Sequence, residues 1–251
     1  MNDLVDVQRH GRVLVVAMRR EAKRNAINRA MADALDDAFN VMEDDDDIWA
    51  GVLTGTETVF SAGSDLTANG DYVTERGGEY GLVRRVRRKP LVAAVEGPAF
   101  GGGLELVLAC DLVVASTAAW FGLPEVGIGV VPTCGALFRA PRGFPANLAR
   151  QLVLTGDPIP AQRAYEAGFV NVLCPPGYAG DEGLALATRV TRNAPVALQA
   201  CMEAMNGLAT SEDAAGWTAT VAATSRVRES EDGREGVRAF LEKRAPAWTG
   251  R

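Results

Sequence analysis

Glu96-Gly97-Pro98-Ala99-Phe100-Gly101-Gly102-Gly103-Leu104-Glu105-Leu106 is the stretch that decides how this chain reads. A short apolar strand, Leu91–Val95, runs into it, and an apolar helical run leaves it from Gly102 through Val107, Leu108 and Ala109. Three consecutive glycines at a helix start leave backbone N–H groups bare and aligned with the positive end of the helix dipole. That arrangement suits a developing negative charge, as in an oxyanion hole. It does not suit a nucleotide phosphate, because the chain has no GxxxxGK[ST] and no GxGxxG followed by an acidic ribose partner. Glu105 stands in the first turn of this helix, where it can serve either as a capping carboxylate or as a reacting group.

Two flanking segments extend the pattern. Upstream, Val59-Phe60-Ser61-Ala62-Gly63-Ser64-Asp65-Leu66 follows an apolar run at 48–54 and puts small residues where the backbone turns sharply. Small side chains there let a ligand approach main-chain N–H groups, while Asp65 alone reads equally as a helix cap. Downstream, Phe121-Gly122-Leu123-Pro124-Glu125-Val126-Gly127-Ile128-Gly129-Val130-Val131-Pro132 holds a single carboxylate, Glu125, among apolar residues. Burying an unpaired carboxylate costs several kcal/mol or forces its pKa upward. A raised pKa is what proton delivery near neutrality requires. The plainer alternative is a surface glutamate in a first helical turn after Pro124.

Further out, short apolar runs at 13–18, 48–54, 91–95, 112–115 and 170–173 predict strands. Arg29–Asp44 predicts a long helix with Met31, Leu35, Ala38, Phe39 and Met42 on one face. Strands separated by helices imply an α/β arrangement with crossovers. The acidic run Asp44–Asp47 reads as a solvated helix exit, and Arg84-Arg85-Val86-Arg87-Arg88-Lys89 as a solvated basic helix face. The polar stretch 68–81 carries four glycines and reads as a mobile surface loop. Strand signals end near Asn193, and helical patterns fill the rest, at 214–229 and 233–244 among others. The expected organisation is therefore an α/β core at 1–192 and an α-helical part at 193–251.

Composition narrows the chemistry. The 251 residues are 47% hydrophobic and 23% charged, an ordinary globular balance, with a net charge of −6 that argues against a nucleic-acid scaffold. No apolar run reaches the roughly 18–20 residues of a membrane span, and the first residues lack a secretory pattern, so a cytoplasmic address is expected. Cys110, Cys134, Cys174 and Cys201 form no CxxC pair and read as small buried hydrophobes. The sole histidine, His10, sits beside a turn at Gly11. No metal site is expected, and histidine-based triads and dyads are improbable. Catalysis is left to carboxylates and backbone dipoles.

Together, Lys23-Arg24-Asn25-Ala26-Ile27-Asn28, FSAGSDL, GPAFGGGLELVLACDLVVAS, FGLPEVGIGVVP and the terminal AFLEKRAPAW resemble the enoyl-CoA hydratase/isomerase (crotonase) superfamily, most closely an enoyl-CoA hydratase. The resemblance implies an α/β spiral of ββα repeats with a C-terminal α-helical trimerisation region, giving a homotrimer or a dimer of trimers. It implies an oxyanion hole from the backbone N–H groups of Ser64 and Gly102, and a water held by Glu105 and Glu125. Glu105 would activate that water toward C3 and Glu125 would control proton delivery at C2. Arg24, Ala26, Ala62, Asp65 and Leu66 would line the coenzyme A path, with Lys243 reaching a neighbour's ligand. Coenzyme A would arrive as part of an acyl-CoA thioester substrate, so no separate cofactor is implied. Thr133 and Cys134 depart from the family pattern, which usually has more glycine there. Isomerisation, decarboxylation and thioester hydrolysis are alternative enolate chemistries on the same frame. A non-catalytic acyl-CoA or RNA binder is the alternative from another class.

Overall fold

The computed structural model describes residues 3–68, 70 and 72–251. Strands β1 (Val5–His10) and β2 (Val13–Met18) form an antiparallel hairpin turning at Gly11, and helix α1 (Arg29–Asp44) follows. Next come β3 (Ala50–Thr54), a small hairpin of β4 (Val73–Thr74) and β5 (Gly78–Glu79), then β6 (Leu91–Val95) and β7 (Ala99–Phe100). Helix α2 (Gly102–Leu108) leads to β8 (Leu112–Ser116) and β9 (Trp120–Gly122). A 3₁₀ turn, Pro124–Ile128, precedes α3 (Ala136–Gly143), α4 (Ala146–Thr155), β10 (Ile159–Pro160), α5 (Ala161–Glu166), β11 (Val172–Cys174) and α6 (Ala179–Val190). Two helices end the chain, α7 (Pro195–Glu229) and α8 (Glu231–Leu241).

The six-stranded sheet has the order β1-β2-β3-β6-β8-β11, parallel from β2 onward, and a second sheet has the order β10-β9-β7. In two successive passes, β6-β7 into α2 and β8-β9 into α3, the chain lays one strand in the large sheet and a short one in the small sheet before a helical segment follows. This is the expected spiral of ββα units. A parallel sheet must be covered on both faces, and the side-chain alternation of its strands shows how this is done. Leu14, Val16, Leu53, Ala93, Val95 and Val113 face the main core with α1. Val13, Val52, Val92, Ala94 and Val114 face the other way, onto Ala179, Leu186 and Ala187 of α6.

The predicted face of α1 is buried throughout, and Asn28 caps the helix by accepting from Met31 N at 3.1 Å. Other expectations need correction. Strand β1 carries the half-polar pattern VDVQRH and was not expected from apolar runs. The run at 48–54 becomes a strand only from Ala50, and the run at 170–173 only from Val172.

The basic run is not helical, and of its cations only the alternate Arg84 and Arg88 are solvated, while Arg85, Arg87 and Lys89 are buried. Arg85 Nη2 meets Asp36 Oδ1 at 2.6 Å, Arg87 pairs with both oxygens of Asp111, and Lys89 Nζ donates to the Met42 and Asp45 carbonyls at 2.8 and 2.7 Å. Trapped between α1 and the start of β8, these cations are tied to internal acceptors and do not form a basic surface. The acidic run, by contrast, is an exposed helix exit, with Asp44, Asp45 and Asp47 paired to Arg76, Arg9 and Arg12.

The stretch 68–81 is not a free surface loop over its described residues; 69 and 71 lie outside them. Thr74 Oγ1 donates to Asp36 Oδ1 at 2.8 Å, β4 pairs with β5, and Tyr80 is 1% exposed. Thr74 and Tyr80 are the anchors that the glycine count obscured.

Candidate active site

The loop after β3 and the start of α2 are zipped together by their backbones. Phe60 and Ser61 N–H both donate to Pro98 O, and Phe100 N–H donates to Ser61 O at 2.9 Å. Gly63, at φ +87°, brings the two segments into contact, since a β-carbon there would fall 2.6 Å from Gly102 N. Ile27 receives the next pair of bonds, donating to Gly63 O and accepting from Asp65 N–H. The Ser64 N–H belongs to the same trans peptide group as the Gly63 C=O that faces Ile27, so it points away from Ile27. Among the described residues neither Ser64 N–H nor Gly102 N–H makes a hydrogen bond. Two bare amides therefore sit close together. Gly102 also has no room for a side chain, because a β-carbon would collide with the phenol of Tyr80.

Glu105 lies one turn into α2 and is 2% exposed. Its Oε1 accepts from Cys134 N at 2.7 Å and Ala136 N at 3.0 Å, at the start of α3. Burial nonetheless pushes its pKa up to about 7, the two amide bonds pulling against that rise. Glu125 stands in the 3₁₀ turn, and its Oε1 would lie 3.2 Å from a β-carbon on Gly101. Its Oε2 is buried without a partner; among the described residues only Arg139 Nη1 shares that condition. Burial, and then the nearby Glu105 charge, push its pKa up to about 8. The two carboxylates are thus near enough for the charge of one to act on the other, and Glu125 lies against Gly101, next to the bare Gly102 amide. Thr133 Oγ1 lies 3.6 Å from Cys134 Sγ at its edge. Of the four cysteines, Cys134 and Cys174 are buried as expected, but Cys201 is exposed.

The residues expected along a coenzyme A path also come together. Arg24, in the left-handed region at φ 51°, accepts from Ala62 N at its carbonyl, and Ile27 bridges Ser64. Arg24, Ala62 and Leu66 are exposed beside the half-buried Ala26. The Asp65 carboxylate is already engaged, by Arg20 Nη1 at 2.7 Å and by Thr67, which hold its pKa down at about 2. It fixes the strip's shape and leaves its backbone, not its charge, for a ligand. Lys243 is exposed just beyond α8, which packs on the Glu125 turn through Gly236 and Gly129.

The sequence reading missed Tyr80 and Tyr72. Their rings lie 4.8 Å apart, and Tyr80 Oη is 2.7 Å from Ser64 Oγ. Two tyrosines in an otherwise polar, glycine-rich stretch were the available signal, since solvated loops rarely need such rings. The segment is clamped from outside by Arg84, which pairs with Glu79 and lies over the Trp217 ring at 3.7 Å.

The sequence profile described as enoyl-CoA hydratase/isomerase matches residues 8–251. The chain belongs to that family. Within it, the chain is 37% identical over 256 residues to a 2,3-dehydroadipyl-CoA hydratase of Escherichia coli, covering 100% of both. It is 34% identical to a carnitinyl-CoA dehydratase of Salmonella typhi, again across 100% of each. A solved carnitinyl-CoA hydratase from Mycobacterium avium superposes with a TM-score of 0.93 at 38% identity, covering 100% of both chains. The fold is that of the crotonase superfamily, and the protein is an enzyme of the hydratase/isomerase family. Among the described residues, no helix is long and apolar enough to cross a membrane.

Proposed function

We propose that this enzyme adds water across the 2,3 double bond of a 2-enoyl-CoA, syn, to give a 3-hydroxyacyl-CoA, and catalyses the reverse elimination. The observation that carries this reading is the electrostatically coupled pair of the buried Glu105 and the half-buried Glu125, whose Oε2 is buried without a partner, near the bare amides of Ser64 and Gly102. The thioester oxygen accepts from both amides. Glu105, the carboxylate steadied by two N–H bonds, is ionised first and takes a proton from water as its oxygen bonds to C3. The π electrons move through C2 onto the thioester oxygen, where the amides hold the enolate. Glu125, with no partner on Oε2 and a like charge nearby, keeps its proton to higher pH and delivers it to C2. The site then resets when the proton on Glu105 returns to Glu125.

Coenzyme A lies along Arg24, Ala26, Ala62 and Leu66, with Asp65 contributing backbone, and Lys243 reaches the ligand of a neighbouring subunit in a trimer. A relative named as a dehydratase supports the elimination direction for chains of this kind. The test is Glu105→Gln and Glu125→Gln, followed by loss of the conjugated chromophore of crotonyl-CoA. Each is expected to lower kcat by about 10²–10⁴-fold. Full activity in both removes the mechanism. Appearance of 3-enoyl-CoA instead of 3-hydroxyacyl-CoA would assign the site to isomerisation.

A further inference from the structure

Tyr80 is placed at a cost. It holds a left-handed φ of 58°, unusual for a bulky residue, between Gly78 and Gly81. Its ring is buried, steadied by Tyr72, and its N–H donates to Tyr72 O at 2.8 Å. The hydroxyl end emerges between the two residues that carry the bare amides. It is 2.7 Å from Ser64 Oγ and close enough to Gly102 to forbid a β-carbon there. Burial raises the phenol's pKa well above its usual value, so the group stays protonated and can donate.

We propose that the Tyr80 hydroxyl is a third hydrogen-bond donor to the thioester oxygen, beside the N–H groups of Ser64 and Gly102. In the resting site the hydroxyl pairs with Ser64 Oγ and the Cys134 thiol, interactions between neutral groups. When substrate binds, the phenol turns its proton to the thioester oxygen. The bond strengthens as negative charge builds, because charge-assisted bonds are roughly twice as strong as neutral ones. The role presupposes the thioester site described above. The strained backbone fits it, since φ near +60° at this position is what aims the ring at Gly102.

A 4-(dimethylamino)cinnamoyl-CoA thioester reports the effect directly, because its absorption moves to longer wavelength as the carbonyl is polarised. Bound to the wild-type enzyme it should show a clear red shift. Tyr80→Phe keeps the ring and should bind the thioester within about threefold, with a smaller red shift and kcat on crotonyl-CoA lower by about 10–100-fold, less than for a fixed backbone donor. Tyr72→Phe, which removes the neighbouring hydroxyl that bonds Thr133 and Ser64, should lower the red shift much less than Tyr80→Phe does. Replacing Tyr80 with 3-fluorotyrosine gives a more acidic phenol without removing it and should deepen the shift, a readout that does not depend on how Tyr80→Phe folds. An unchanged shift and kcat in Tyr80→Phe overturn the donor role, as does an equal loss in Tyr72→Phe or no response to fluorination. No red shift in the wild type would instead remove the hydratase reading itself.

Discussion

The two segments that deliver the carboxylates are built on opposite plans. Around Glu105 everything is satisfied: α2 and α3 meet there, and two amides at the head of α3 donate to one oxygen. Around Glu125 one oxygen has no partner, and the turn that carries it contains Gly127, with nothing within 4 Å of where a β-carbon would go. Two glutamates near enough to feel each other's charge are thereby made unequal. The amides favour charge on Glu105, while isolation and like charge favour the proton on Glu125. A short helix such as α2 adds little macrodipole, so these individual donors set the difference.

Truncation should break the symmetry most visibly. Glu105→Ala leaves two buried N–H groups without an acceptor and is expected to lower stability by about 2–4 kcal/mol. Glu125→Ala removes a carboxylate with one oxygen buried and unpartnered, and its stability should stay within about 0.5 kcal/mol of wild type or rise. Urea titrations of both variants compare the two directly; equal destabilisation would erase the distinction.

The pH dependence sharpens it. With apparent steps near 7 for Glu105 and 8 for Glu125, the singly ionised pair dominates between them, so kcat/KM should fall on both sides of that interval. Stability should move in one direction only. A carboxyl whose folded pKa lies above its unfolded value binds more protons when folded, so stability drops as pH rises from about 4.5 toward the folded value. The stability of Glu125→Gln relative to wild type should therefore grow from about pH 4.5 to about pH 8 and then level off. A difference independent of pH would mean that Glu125 is not raised.

Glycine replacements give the next contrast. Gly102→Ala forces a β-carbon into the Tyr80 phenol and should cost about 1–3 kcal/mol along with activity. Gly127→Ala meets open space and should change stability by about 0.5 kcal/mol or less. Melting temperatures of the pair are enough to see it.

Much of this site was legible in one dimension. The triple glycine, the small residues of FSAGSDL and the isolated Glu125 each predicted a local property, and each lies where backbone and burial need it. The basic run Arg84–Lys89 was misread because charge patterning says nothing about which carbonyls and carboxylates will surround a chain bend. The stretch 68–81 was misread for the converse reason. Its glycines mark turns, but whether Tyr80 faces water or Gly102 depends on an element distant in sequence.

By itself the sequence determined the family, the alternation of strands and helices and the buried face of α1, and it singled out Glu105 and Glu125 as candidates. Those follow from periodicity and residue type, which act within a few neighbours. Only the tertiary structure decided that Cys134 and Ala136 N–H groups would clamp Glu105, that Glu125 Oε2 would be left without a partner, and that Tyr80 would reach the Ser64 hydroxyl. Hydrogen bonding and desolvation are set by whichever groups arrive within a few ångströms, and here those groups come from separate turns of the spiral.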